Sequence, residues 1–364
     1  MAFRFLGNKA KLLPYILQEI TSVAPSAKRP LVADLFCGTA TVSAGLKKLG
    51  YRVIANDLLL TCSLHAKAQL RSPREPEFEG LSQHLGDELI QAPTESLFPS
   101  RYQQVLALLN SLPGTGGFFF REYSPEGSPA NGSAPRRYFT PDNARRIDSI
   151  RARIKDWFGA GLLSETEHAL LLHDLMMAAN EVANTAGTYG HFLSHMSESA
   201  LQPFKLTPTA LVEGPTDHIV LNKNALVAAR DNPAEVYYLD PPYTKRQYAA
   251  YYHVLETIAH EDEPELEGKS GLRPWEDRAS DFCYKQRAPK AMRDLLSVID
   301  ARYIFVSYSG DGHIKHEEMM DLLRARARAG GDVKLLNEVK YQRYTSKQGV
   351  DDSLLDERLY RVTT

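Results

Sequence analysis

Asp240, Pro241, Pro242 and Tyr243 follow directly on the apolar run Val236-Tyr237-Tyr238-Leu239. Proline cannot donate to a sheet ladder, so the pair ends a strand and stiffens the turn after it. Asp240 and Tyr243 are thereby expected at the carboxyl end of a strand, where open α/β sheets bind their ligands. There a carboxylate accepts hydrogen bonds, a carbonyl on proline's restricted backbone is pre-aimed, and a tyrosine ring offers a stacking face. An ordinary strand exit that happens to contain Pro-Pro explains the same residues, and the rest of the chain decides between the two.

A second constellation lies some two hundred residues upstream. Leu31-Val32-Ala33-Asp34-Leu35-Phe36 reads as a strand, Cys37-Gly38-Thr39-Ala40-Thr41 as a turn, and the run to Leu49 as a helix closed by Gly50. Tyr51 to Ala55 makes another strand, ending in Asn56-Asp57. Strand, glycine turn, helix, strand and acid form the first half of a Rossmann-like nucleotide site. Asp57 lies 23 positions after Asp34, near the offset of roughly 20 at which an acid meets a ribose diol. Ala40 and Ser43 stand at the later glycine positions, so close approach to a pyrophosphate is poorly provided for. That favours a nucleoside-type ligand over a dinucleotide, with Ala40 tolerated if its φ stays below zero. Lys9 falls at the start of a helical pattern carried by Leu12, Leu13, Ile16, Leu17 and Ile20. A cation there opposes the helix dipole, which hints at a ligand, although a solvated lysine is the commoner outcome.

At 364 residues the chain exceeds one ordinary core. Two α/β pieces, 1–66 and 217–364, flank a middle segment, 67–216, of different texture. Hydrophobic residues at 43% and charged residues at 24% suit a globular protein, and a net charge of −2 excludes a global polycation. Nucleic-acid binding would need a local basic face. Cys37, Cys62 and Cys283 suggest neither a disulfide framework nor a Cys-x-x-Cys metal site, so a reducing cytoplasm is the expectation. Met1 to Pro30 has no continuous apolar core of signal-peptide type, and no run approaches a membrane span. In the middle segment Arg136, Arg137, Arg145, Arg146, Arg151, Arg153 and Lys155 interleave with Tyr138, Phe139 and Trp157. Solvated helix face and phosphate contact with base stacking both fit this cluster. Ser164 to Glu167 resembles a capping box ahead of a buried helix, which ends at the polar loop Asn184-Thr185-Ala186-Gly187-Thr188-Tyr189-Gly190. His191 and His195 have the spacing of two metal ligands, but no third ligand stands nearby, so no metal site is expected.

Taken together, Phe5-Leu6-Gly7-Asn8-Lys9, Asp34-Leu35-Phe36-Cys37-Gly38, Asn56-Asp57 and Asp240-Pro241-Pro242-Tyr243 resemble, in content and order, the α-class adenine-specific DNA methyltransferases. The resemblance spans essentially the whole chain. It implies a Rossmann-like sheet that uses S-adenosyl-L-methionine, with 1–66 and 217–364 catalytic and 67–216 an inserted, mainly helical target-recognition region. It places the cofactor on Phe5, Lys9, Asp34, Phe36, Gly38, Asp57, Asn224 and Asp240. Asn224 stands where many relatives have an acid. Asp240 to Tyr243 then hold the exocyclic amine of an extruded adenine. Double-stranded DNA is the implied partner, with Arg136, Arg137, Arg145, Arg146 and Tyr189 as its contacts, and a restriction endonuclease as companion fits the same context. Methylation of a cytosine amine, of RNA adenine, and binding without catalysis are the competing readings.

Overall fold

The computed structural model describes residues 7, 9–94, 96–327, 331–342 and 354–364. Apolar and β-branched runs form the strands β1 (Leu31–Asp34), β2 (Arg52–Asn56), β3 (Ile219–Leu221), β4 (Val236–Leu239), β5 (Tyr303–Ser309), β6 (Asp332–Gln342) and β7 (Leu354–Thr363). Among the described residues they make one seven-stranded sheet in the order β3-β2-β1-β4-β5-β7-β6. The first five run parallel, while β7 lies antiparallel to both β5 and β6. Every residue of β4 is buried and β5 is nearly so, as expected of central parallel strands covered on both faces. The sheet is a Rossmann-like α/β sheet. Its order reverses between β1 and β4, the point at which such sheets bind ligands. Ile54, Leu239, Ile304 and Val306 pack with Met292 and Leu295 of the helix Ala288–Val298 and Leu323 of the helix His316–Arg326. Full burial of such a side chain contributes about 1.5–3 kcal/mol, which holds the strand ends in register.

Two compact units divide the chain. One holds Gly7–Ala66, Gly214–Tyr248 and Arg278–Thr364, and therefore the whole sheet; the other joins Lys67–Glu213 to Ala249–Asp277. The helix His253–His260 follows Tyr243 closely in sequence, yet it folds with the middle segment.

In the sheet-bearing unit the turn after β1 leads into the helix Thr41–Lys48 through Ala40, at φ 55° and ψ 22°. The condition of a negative φ at Ala40 is therefore not met. A left-handed alanine costs roughly 1–2 kcal/mol relative to a relaxed backbone. Burial of Ala40 and the turn bond from its N–H to the Cys37 carbonyl hold it there.

The second unit is helical. Ser164 and Glu167 cap the helix Glu165–Glu181 reciprocally, and most of that helix is buried. Phe119, Tyr123, Tyr138 and His253 pack ring to ring. Burial lowers the His253 imidazole to about 4, so the neutral ring donates from Nε2 to the Tyr189 carbonyl at 2.9 Å. Asn184, fully buried, donates to the carbonyls of Arg137 and Leu193 and accepts from the Ser197 amide. That accounts for the polar loop after the buried helix: its amide side chain ties three strands of backbone together.

Four of the five residues expected on DNA are otherwise engaged. Arg136 is fully buried and pairs with Glu122 at 2.9 Å. Its remaining donors reach the carbonyls of Glu122, Lys269 and Gly268 and the Asn131 side chain. Gly271, at φ 64°, passes so close that a Cβ there would lie 2.6 Å from the guanidinium carbon. Arg136 is thus a core ion pair and has no surface for a phosphate. Tyr189 is 1% exposed, its hydroxyl donating to Asn180 Oδ1, so its ring is no stacking platform. Arg146 donates to the carbonyls of Asn110 and Leu112 at the end of the helix Arg101–Ser111. Arg145 lies over the Phe120 ring and pairs with Glu126 and Asp142. Arg137 is exposed.

Removing one member of a buried pair strands the other charge. Arg136→Ala is therefore expected to cost about 3–5 kcal/mol, and Arg137→Ala less than about 0.5 kcal/mol. Urea unfolding of both variants checks this, and equal losses would contradict the assignment.

Candidate active site

Asp34 ends β1 and faces Tyr238 of β4 in register, so Asp240 emerges two residues beyond on the neighbouring strand. The two carboxylates bracket the reversal of strand order. Asp34 is 1% exposed; its Oδ2 accepts from Ser43 Oγ at 2.7 Å. Among the described residues its Oδ1 has no hydrogen-bond partner. Burial pushes the Asp34 carboxyl up to about 7, the Ser43 bond opposing and the charges of Asp240 and Asp57 adding to the rise. A buried carboxylate oxygen left without a donor is costly in the protein alone. It suits a ligand that brings a cation or an N–H group.

Gly38, at φ 50°, turns its amide back to Asp57 Oδ2 at 3.0 Å, while Asp57 Oδ1 accepts from the Leu59 amide. Asn56 clamps the same corner: its amide donates to the carbonyls of Leu35 and Lys223, and its oxygen accepts from the Lys223 amide. Phe36, partly buried, meets Phe282 edge to face at 5.3 Å. These residues form a half-open cradle with an acid on its rim. Asn224 lies at the mouth of the next turn, where its Oδ1 caps the helix Ala225–Asp231 by accepting from the Leu226 amide. The asparagine is thereby explained locally, and its carbonyl oxygen is already in use. Burial, with Asp57 and Asp34 nearby, raises the Cys37 thiol well above its ordinary value, which makes it a packing residue rather than a nucleophile.

At the β4 exit, Lys9 is 6% exposed and holds Asp240 Oδ1 at 3.0 Å. The same ammonium reaches Glu357 Oε1 of β7 at 2.6 Å and lies 5.9 Å from the centre of the Tyr243 ring. Burial works against the Lys9 charge, but Asp240 and Glu357 outweigh it and hold its pKa well above the lysine norm. Burial also raises the Asp240 carboxyl, with Lys9 opposing and Glu357 assisting. Tyr243 rests edge-on against Tyr308, and its carbonyl accepts from the His313 amide at 2.9 Å. Tyr308 in turn accepts from the Ile314 amide, so the ring beside Asp240 is buttressed from behind.

The structure thus brings Lys9, Asp34, Phe36, Gly38, Asp57, Asp240, Pro241, Pro242 and Tyr243 to the carboxyl ends of β1, β2 and β4. Phe5 lies outside the described residues. Glu357 and Ser307 escaped the sequence reading. An acid in the last strand, two places before Leu359 on the same face, was the one available signal, and cross-strand pairing alone gives it meaning. β5 runs to Ser309 and pairs with β7 over its whole length.

The D12 class N6 adenine-specific DNA methyltransferase family matches residues 5–322. Modification methylase StsI of Streptococcus sanguinis is 31% identical over 359 residues, which are 99% of this chain and 51% of that protein. Type II methyltransferase M.FokI of Planomicrobium okeanokoites is 32% identical over 359 residues, 99% of this chain and 52% of its own. Type II methyltransferase M.NlaIII of Neisseria lactamica is 31% identical over 309 residues, 85% of this chain and 84% of its own. The chain spans about half the length of the first two relatives. Among the described residues no helix is long and apolar enough to cross a membrane.

The raised carboxyls of Asp34 and Asp240 bind protons in the folded protein that they release in the unfolded one. Their stability contribution is full below about pH 4, the ordinary carboxyl range, and is lost as pH rises through the raised values. Asp34→Asn removes one share. Its unfolding free energy is expected to fall less steeply than the wild type's between pH 5 and pH 8 in denaturant titrations; equal slopes would contradict the raised Asp34.

Proposed function

Because the chain belongs to the D12 class N6 adenine-specific DNA methyltransferase family, we propose that it moves a methyl group from S-adenosyl-L-methionine to the N6 amine of an adenine flipped out of a specific sequence in double-stranded DNA. The observation that carries this reading is the pairing of Asp240 with the buried Lys9 beside an Asp34 oxygen that has no partner among the described residues. When bound, the cofactor supplies a methyl group on a sulfonium, which leaves as a neutral thioether retaining the electron pair of the broken C–S bond. The residues present fit that molecule. Asp34 Oδ1 suits its ammonium, Asp57 on the cradle's rim suits its ribose hydroxyls, and Phe36 offers an apolar face to its ring. Asn224, already a helix cap, has only its amide nitrogen to contribute.

Asp240 and the Pro241 carbonyl each accept one hydrogen of the target amine. That draws the nitrogen towards tetrahedral geometry and frees a lone pair otherwise delocalised into the ring. Tyr243, braced by Tyr308, stacks on the extruded base. As the N–C bond forms the nitrogen sheds one proton, and Asp240 is positioned to take it. Catalysis then rests mainly on orientation. Residues 67–213 and 249–277 serve as the DNA-reading unit, with Arg137 contacting phosphate. The relatives' names place them among modification enzymes, and for this chain we infer the same role, in the cytoplasm, alongside a restriction endonuclease.

Asp240→Ala is expected to abolish transfer while leaving S-adenosyl-L-methionine binding largely intact. Labelled-methyl assays on mixed-sequence DNA, with mass analysis of the nucleosides, test this; N4-methylcytosine as product, or more than a tenth of the wild-type rate in the variant, overturns it. Arg137→Ala is expected to weaken DNA binding and reduce the slope of log K against log salt by about 1. An unchanged slope contradicts the phosphate contact.

A further inference from the structure

Glu357 lies beyond residues 5–322, the part of the chain that the family match covers, yet it touches the centre of the site. It is 3% exposed on β7, opposite Ser309 of β5. Its Oε1 accepts two hydrogen bonds, from Lys9 Nζ at 2.6 Å and from Ser307 Oγ at 2.8 Å. The same ammonium meets Asp240 at the longer distance of 3.0 Å. One buried cation therefore serves two carboxylates, Glu357 buried and Asp240 partly so, and the contact with the non-reacting one is shorter. Sharing matters for the chemistry. A carboxylate fully paired with an ammonium is a weakened acceptor, whereas Asp240 has to accept from a neutral amine.

We propose that Glu357 is a positioning residue for methyl transfer: it anchors Lys9 on β7, so that Asp240 is oriented by the ammonium without being saturated by it. The Ser307 hydroxyl fixes the Glu357 carboxylate for this task, and the β5–β7 register places both. This inference rests on the methyltransferase reading given above. Six charged or titratable groups act on one another here: Lys9, Glu357, Asp240, Asp34 and the phenols of Tyr238 and Tyr243. Without the Glu357 charge, Lys9 turns wholly to Asp240, and the loss of a nearby negative charge further favours the ionised Asp240.

The test is single-turnover transfer of labelled methyl from S-adenosyl-L-methionine to long unmethylated duplex DNA of mixed sequence, from pH 5.5 to 9. Cofactor affinity is measured separately. Glu357→Gln keeps the shape and removes the charge. It is expected to slow transfer at least tenfold at pH 7.5, to move the acid limb of the rate profile to lower pH, and to change cofactor affinity less than threefold. A slower enzyme whose acid limb stays in place points to a merely structural glutamate and overturns the proposal, as does a rate within twofold of wild type. If Glu357→Gln fails to fold, Ser307→Ala, which removes only the second bond to Oε1, is expected to shift the limb in the same direction by a smaller amount; no shift overturns the proposal. A wild type that transfers no methyl to adenine sinks the functional reading itself. A competent wild type with an unmoved limb in the variant sinks this inference alone.

Discussion

Burying one ammonium between two carboxylates is the constraint around which the sheet-bearing unit is arranged. Each such ion loses several kcal/mol of hydration on leaving water, and only close, well-aimed partners offset that loss. Lys9, Asp240 and Glu357 come from the amino-terminal segment, the exit of β4 and the last strand. Their meeting requires the β5–β7 pairing to be in register and the helix Leu13–Val23 to be seated through Ile16 and Ile20. A slip of one residue in β7 would turn Glu357 to the opposite face and leave Lys9 with one partner. The arrangement ties together the two ends of the described chain at the place where chemistry is proposed.

Asp34 shows the complementary state. Its carboxylate is buried as deeply, but one oxygen has no partner among the described residues, and its carboxyl is correspondingly raised to about 7. Structural carboxylates in this protein are treated differently: Asp148 accepts from three backbone amides, and Asp262 is gripped by both ends of the Arg273 guanidinium. Asp148 and Asp262 hold the fold through paired oxygens, whereas Asp34, with one oxygen unpartnered among the described residues, lies at the reversal of strand order.

The arginine-rich stretch makes the same point about burial. Arg136 and Arg137 are neighbours in sequence and identical in type, yet one is enclosed by Glu122 and by oxygens of Asn131, Gly268 and Lys269 while the other faces solvent. Their difference follows from the close passage of Gly271, which belongs to a segment more than a hundred residues away. No local pattern distinguishes them.

Local features of the chain were legible in its sequence. Prolines 241 and 242 end a strand because they lack the ladder donor, residues 31–57 alternate strand, glycine turn, helix and strand, and Ser164 with Glu167 starts a helix. These follow from backbone geometry within a few residues, and with the family resemblance they pointed to the fold and to most of the candidate site. Which charges share a volume was set by tertiary packing. It placed Glu357 against Lys9, enclosed Arg136 and Tyr189, turned Ala40 to a positive φ, and folded residues 249–277 with the middle segment rather than with the sheet. Those outcomes depend on desolvation and on pairing between distant strands and loops, and neither quantity exists until the chain has closed on itself.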